Sequence, residues 1–320
     1  MGTDPNAELP GWSSVGGPDP TLGWPPREFD TGIPHSARMY DYWLGGKDNF
    51  AVDREMAEIF LEQIPSLRQM AMENRNFVGR ATRALASLGL RQFLDIGTGI
   101  PTSPNLHETA QQVAPGARVV YVDNDPVVLA HARALMGSDE STVAYVEADL
   151  REPEKILTVP QLARVIDLEQ PVALMLIAVL MLLDEKDDPY TTVARLRDAL
   201  PSGSYLALTH PTQDFDPEAV EFVTAAATKG GMTFRPRTRD EVARFFGDWE
   251  LIEPGLVPVR SWQPATTPDD PNSAYYWAGV ARKLECSCFW PKDVRFPGKS
   301  AHGDVGCSGD SGWSWLSGMG

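Results

Sequence analysis

Residues 93–101 read FLDIGTGIP. Apolar residues and one carboxylate lead into two glycines spaced by one residue. The pattern predicts a buried strand over 92–96 that ends in a tight turn at Gly97-Thr98-Gly99, with a helix starting near 104. Glycine in such a turn takes positive φ and lets a ligand approach the backbone without a Cβ in the way. The helix start beyond it offers free N–H groups and a partial positive charge. Alternatively, the turn is a purely structural strand-to-helix connection, since a bare Gly-x-Gly is common.

Two features further along point to a ligand. The next strand-like run, 118–122, ends in Asp123, 26 residues after Gly97. That is about the spacing of an acid that accepts both ribose hydroxyls. The third run, 143–146, is followed by Glu147-Ala148-Asp149-Leu150, another acid where open α/β sheets bind ligands. Asp95 lies two residues before the first glycine and would repel a pyrophosphate. It would attract a ligand with an ammonium group and a sulfonium. No third glycine follows; Pro101 and Thr102 stand there, and the proline stiffens the turn. These facts favour S-adenosylmethionine over a nicotinamide dinucleotide. An NAD-linked oxidoreductase and a non-catalytic S-adenosylmethionine-binding protein remain as alternatives.

Outward from this turn, strands and helices alternate. Strand-like runs continue at 172–178 and 204–209, and helix-like runs at 105–113, 126–136, 159–166 and 190–199. The alternation predicts an α/β fold, a mostly parallel sheet with helices on both faces. The run 172–178 is apolar throughout, as a central parallel strand should be. After it come helices at 217–228 and 239–246, a strand at 249–253, a loop at 257–267 and a last apolar strand within 274–281. Before the sheet, 36–44, 53–63 and 66–88 have helical spacing and form an N-terminal helical cap over 29–90.

The ends differ. Residues 1–28 hold eleven Pro or Gly and no periodicity, which predicts a disordered arm. Residues 286–320 predict a loose tail, outside a ligand-binding domain at 91–285. All three cysteines (Cys286, Cys288, Cys307) lie in that tail. The rest has no disulfide, zinc site or thiol nucleophile to offer, and Cys286-Ser-Cys288 is an incomplete ligand set, so no metal is expected.

The chain has 320 residues and a formal charge of −16. Such a surface argues against nucleic acid and anionic membrane as partners. Its longest apolar run, 172–183, falls short of a membrane span, and the N-terminus lacks a signal-peptide pattern. A cytoplasmic location and a small-molecule acceptor are expected, with the oligomeric state open.

The cofactor half resembles class I S-adenosylmethionine-dependent methyltransferases. More narrowly, PHSARMYDYWLGGKDNFAVDRE (34–55), QFLDIGTGIPT (92–102), VVYVDNDPVV (119–128) and SGSYLALTH (202–210) resemble a largely uncharacterised bacterial family of S-adenosyl methyltransferases. The match runs from about 30 to 284. It implies a Rossmann-like sheet of seven strands with a reversed final hairpin. It also implies that Asp95, Gly97, Thr98 and Gly99 form the methionine-side turn. Asp123 then takes the ribose hydroxyls beside Asn124, and Asp149 and Leu150 flank the adenine.

Segment 33–53 carries a His, an Arg and three aromatics before Gly45-Gly46. It reads either as a lid, with Arg38 or Tyr40 meeting the methionine carboxylate, or as an amphipathic helix packed on the sheet. Methyl transfer is an in-line displacement governed mainly by positioning. If a general base is used, His210, at the end of the fifth strand, is the best candidate. His35 and His107 carry less, the latter lying inside a helix.

Overall fold

The computed structural model describes residues 32–135 and 141–285. The arm expected over 1–28, the tail over 286–320 and its cysteines lie outside them. Three helices come first: α1 (Ser36–Trp43), α2 (Ala51–Gln63) and α3 (Leu67–Ser87). In α3, Met70, Asn74, Phe77, Ala81 and Leu85 recur at three- and four-residue spacing, and all are buried. Asp53 fastens α1 to α2: one carboxylate oxygen accepts from Phe50 N at 2.8 Å, the other from His35 N at 2.8 Å.

The sheet follows as β1 (Gln92–Ile96), β2 (Arg118–Asp123), β3 (Val143–Glu147), β4 (Ala173–Ile177), β5 (Tyr205–Pro211), β6 (Glu250–Leu251), β7 (Val257–Pro258) and β8 (Tyr276–Arg282). Between β1 and β5 run α4 (Leu106–Val113), α5 (Pro126–Leu135), α6 (Pro153–Thr158), α7 (Pro160–Val165) and α8 (Pro189–Asp198). After β5 come α9 (Pro217–Lys229) and α10 (Arg239–Arg244). Strand order is β3-β2-β1-β4-β5-β8-β6, with β7 also on β8. β1 to β5 are parallel, and β8 is antiparallel to its three partners.

Strand parity divides two cores. Phe93, Val119, Tyr121, Met175 and Ala207 face α1–α4 and α9. Leu94, Val120, Leu174, Leu206 and Leu208 face α6, α7, α8 and α10. Strand order reverses where β1 lies between β2 and β4, so a crevice opens above their C-terminal ends.

Four expectations change. The sheet has eight strands rather than seven, because Val257 and Pro258, read as loop, pair with Ala278 and Trp277. A proline fits there because that strand lies at the sheet's edge, where its missing N–H costs nothing. Helix α6 occupies 153–158, for which no helix was expected. The strand expected over 249–253 shrinks to two residues. β5 runs two residues further than expected, because β8 pairs with it as far as His210 and Pro211. Among the described residues no helix is long and apolar enough to cross a membrane.

Candidate functional site

The crevice is a cavity with about 1030 Å³ of empty space, reckoned out to its open mouth. Its floor is the glycine turn. Gly97 has φ +76 and Gly99 φ +67. A Cβ on Gly97 would lie 2.3 Å from Val179 Cγ2, so this glycine is required by both backbone and space. The N–H of Gly97 donates to Val122 O at 2.8 Å, and Thr98 Oγ1 donates to Asp95 O at 3.2 Å, which locks the turn onto β1 and β2. On the far wall Ala178 takes φ +50, held by its N–H to Thr209 O and Oγ1 at 3.1 and 3.0 Å.

Asp95, Thr98, Asp123, Asn124, Asp149 and Leu150 all line this cavity, as do both glycines. Asp95 is 9% exposed, and its carboxylate accepts no hydrogen bond from any described residue. Burial pushes it up to about 7, opposed by the Arg75 charge and helped by Asp123. Asp123 is tied to the turn: Oδ2 accepts from Gly99 N and Oδ1 from Asp125 N, each at 2.9 Å. Burial raises its carboxyl too, against those two N–H groups. Two carboxylate oxygens have further lone pairs, so ribose hydroxyls can still be accepted.

Asp149 is the opposite case. Its partial burial pushes upward, yet its carboxyl stays below the usual range, because Arg151 N–H, Asn124 and the Arg151 guanidinium stabilise the anion. Asn124 Nδ2 donates to Oδ2 at 3.1 Å and Arg151 N to Oδ1 at 2.9 Å. Arg151 continues across the cavity to Asp187, with Nε 3.2 Å from Oδ1, and to Leu182 O at 3.0 Å.

Tyr40 lies on the wall. Its hydroxyl donates to Ala71 O at 2.8 Å and accepts from Asn74 at 3.0 Å, and burial pushes it up to about 12. It is a fixed neutral wall.

Two expected site residues are elsewhere. Arg38 does not line the cavity. Its Nε sits 2.9 Å from Asp53 Oδ2, and Nη2 donates to Ile33 O at 2.8 Å. It anchors α1 to α2. His210 does not line the cavity either. It shares the parity of Leu206 and Leu208, so its ring turns into the core beneath α10 and stacks on Phe245 at 6.0 Å. Its ring nitrogens lie 2.8 Å from Pro211 O and 3.0 Å from Arg237 Nη1. It is fully buried, and burial pushes the imidazole down to about 3. Such a group is not a general base for a ligand in the crevice. His107 is likewise buried against Tyr121, whose hydroxyl lies 2.9 Å from Nδ1.

The cavity has three ionisable side chains, besides the polar Ser36 and Asn74, that the sequence reading did not assign to it. Arg75 reaches in from α3 and is anchored on Thr102 O and, at 2.9 Å, Pro104 O. A charged residue directly beside the buried stripe of α3 was the available signal. Arg151 has no local signal beyond standing two residues after Asp149. His35 caps α1 with Nδ1 3.1 Å from Asp125 Oδ2, a buried oxygen that accepts no hydrogen bond.

A Rossmann-like sheet with this strand order and an acid-rimmed cavity over its glycine turn has the form of a class I methyltransferase. The sequence model of a family described as S-adenosyl methyltransferase matches residues 22–284, and the chain belongs to that family. It is an S-adenosylmethionine-dependent methyltransferase. A crystal structure of a DUF574 family protein from Streptomyces avermitilis MA-4680 is similar, with TM-score 0.77 and 47% identity over 79% of this chain and 99% of that one. A candidate methyltransferase from Thermobifida fusca YX is also similar, with TM-score 0.76 and 42% identity over 82% of this chain and 100% of that one. No curated protein matches the sequence.

Proposed function

We propose that the cavity holds S-adenosylmethionine with its methionine end against Asp95 and Arg75, its ribose on Asp123 and its adenine beside Asp149 and Leu150. The methyl group passes to a small-molecule acceptor. The observation that carries this reading is the buried carboxylate of Asp95, which has no hydrogen-bond partner among the described residues. An ammonium group satisfies it, whereas a pyrophosphate is repelled. Arg75, the cation nearest that acid's electrostatics, takes the ligand's carboxylate in place of Arg38.

When bound, the donor supplies an electrophilic methyl carbon on a sulfonium. The protein's part is placement and exclusion of water. The Gly97–Gly99 backbone allows close approach, Asn124 and Arg151 orient Asp149, and α1 with Tyr40 walls the site. With His210 sealed in the core, no step is assigned to it. The charge of −16 supports a small, non-nucleic acceptor.

Calorimetry with S-adenosylhomocysteine tests the reading. Binding in the micromolar range is expected, with none for NAD. Arg75→Ala should weaken it about tenfold, the scale of one charge-assisted hydrogen bond. Arg38→Ala should leave affinity within about twofold while lowering the melting temperature, since it strands buried Asp53. Binding of NAD alone, or an Arg38 effect larger than that of Arg75, overturns it.

A further inference from the structure

A second cavity, with about 700 Å³ of empty space reckoned out to its open mouth, adjoins the first. Ser36, Tyr40, Met181 and Leu182 line both, so the two adjoin along these side chains. Their chemistry differs sharply. The donor cavity carries Arg75, Asp95, Asp123, Asp149 and Arg151, whereas no charged side chain among the described residues lines the second chamber. Its surface is aromatic and thioether: Trp43 stacks on Phe60 at 6.0 Å, Phe60 meets Phe234 edge-on at 6.3 Å, and Met39, Met70 and Met232 fill between. The lining suits a small organic ligand.

The polar atoms on this surface are mostly committed. Tyr40 bonds to α3, Tyr275 donates to Asp216 Oδ2 at 3.1 Å, and Thr212 Oγ1 accepts from Asp214 N at 3.1 Å. The Ser36, Thr233 and Tyr276 hydroxyls are the exceptions, and of the three only that of Tyr276 belongs to a buried residue. It is 6% exposed, lines the chamber, and its hydroxyl makes no hydrogen bond with any described residue. A hydroxyl that opens on an apolar chamber without a protein partner offers its hydrogen bond to a ligand group placed there. Tyr276 shares this lining with Tyr40, which also lines the donor cavity.

We propose that this chamber is the methyl-acceptor pocket, and that its acceptor is a small, uncharged aromatic molecule whose one hydroxyl hydrogen-bonds to Tyr276. The proposal rests on the donor reading above. A charged acceptor would lose its hydration here without gaining a partner. Burial pushes Tyr276 far up and Tyr40 up to about 12, so both stay protonated at neutral pH and neither serves as a base. Transfer to a phenolic oxygen breaks the sulfonium carbon–sulfur bond, with its electron pair going to sulfur. It forms a carbon–oxygen bond from an oxygen lone pair and releases the phenolic proton to water.

The test uses the full chain and calorimetry. S-adenosylhomocysteine is titrated first; its failure to bind sinks the donor reading itself. On the chain saturated with it, 2-naphthol is the probe and naphthalene-2-sulfonate its charged counterpart. Expected are binding of 2-naphthol and at least about tenfold weaker binding of the sulfonate. Thr233→Trp, in the loop after α9, should fill the chamber and weaken 2-naphthol at least about tenfold. Tyr276→Phe keeps the shape and should weaken it about fivefold. Both variants should hold S-adenosylhomocysteine within about twofold of the unaltered chain. If that ligand binds but 2-naphthol does not, if the sulfonate binds as well, or if Tyr276→Phe changes nothing, the acceptor assignment falls and the donor site stands.

Discussion

The two ends of the donor cavity treat their carboxylates in opposite ways. Asp95 is buried without a hydrogen-bond donor, and burial drives its carboxyl up to about 7. Asp149 is half-exposed, bonded to Asn124 and Arg151, and held below the ordinary range. One acid is left short of a cation; the other already has one. A cationic ligand therefore has most to gain at the Asp95 end, and that end, unlike Asp149, responds to pH near neutrality.

Breaking the Asp95 end should have the largest effect. Asp95→Asn, measured at pH 8 where the acid is ionised, should weaken S-adenosylmethionine binding about a hundredfold, the upper range for a hydrogen bond to a charged group. A loss smaller than that of Asp149→Ala would invert the comparison. Asp123→Ala should cost at least about tenfold, or about 1.4 kcal/mol, because a single residue loses both the ribose contacts and the brace on Gly99. An unchanged affinity would put the ribose elsewhere.

The pH dependence sharpens the contrast. As pH falls through 7, Asp95 takes up a proton and loses the charge that holds an ammonium, so binding weakens toward acid. Between pH 8 and pH 6 the ionised fraction falls about tenfold, and affinity should fall with it. Asp149 stays ionised throughout that window. In Asp95→Asn the slope should vanish, and a slope that survives would assign it to another group. Asp149→Ala should be mildest, about threefold to fivefold, since its end is open to water and Arg151 remains.

Legibility followed the range of the determining contacts. β1 and β2 are short apolar runs whose strand pattern and terminal turn are decided by neighbours in sequence, so the positions of Asp95, Gly97, Gly99 and Asp123 at strand ends were readable from spacing. Arg38 and His210 were misplaced because their environments come from afar: Asp53 for one, Arg237 and Phe245 for the other. His210 looked like a strand end because β5 is prolonged only by pairing with β8, 65 positions on at Pro211–Tyr276 and 67 at His210–Trp277. β7 is two residues long, too short to carry a period. Arg75 was visible only as a charge beside an apolar stripe, and nothing local says that it turns toward Asp95.

The Arg151 side chain ties Asp149 to Asp187 and to the carbonyl of Leu182, and Leu182 with Met181 lines both hollows. That guanidinium is thus a tie-beam: under the proposed reading, an alteration beside Asp149 is felt at the lining the two molecules share. Someone wishing to re-tool acceptor choice without disturbing the donor should cut from the α9 and β8 sides and leave the shared lining alone.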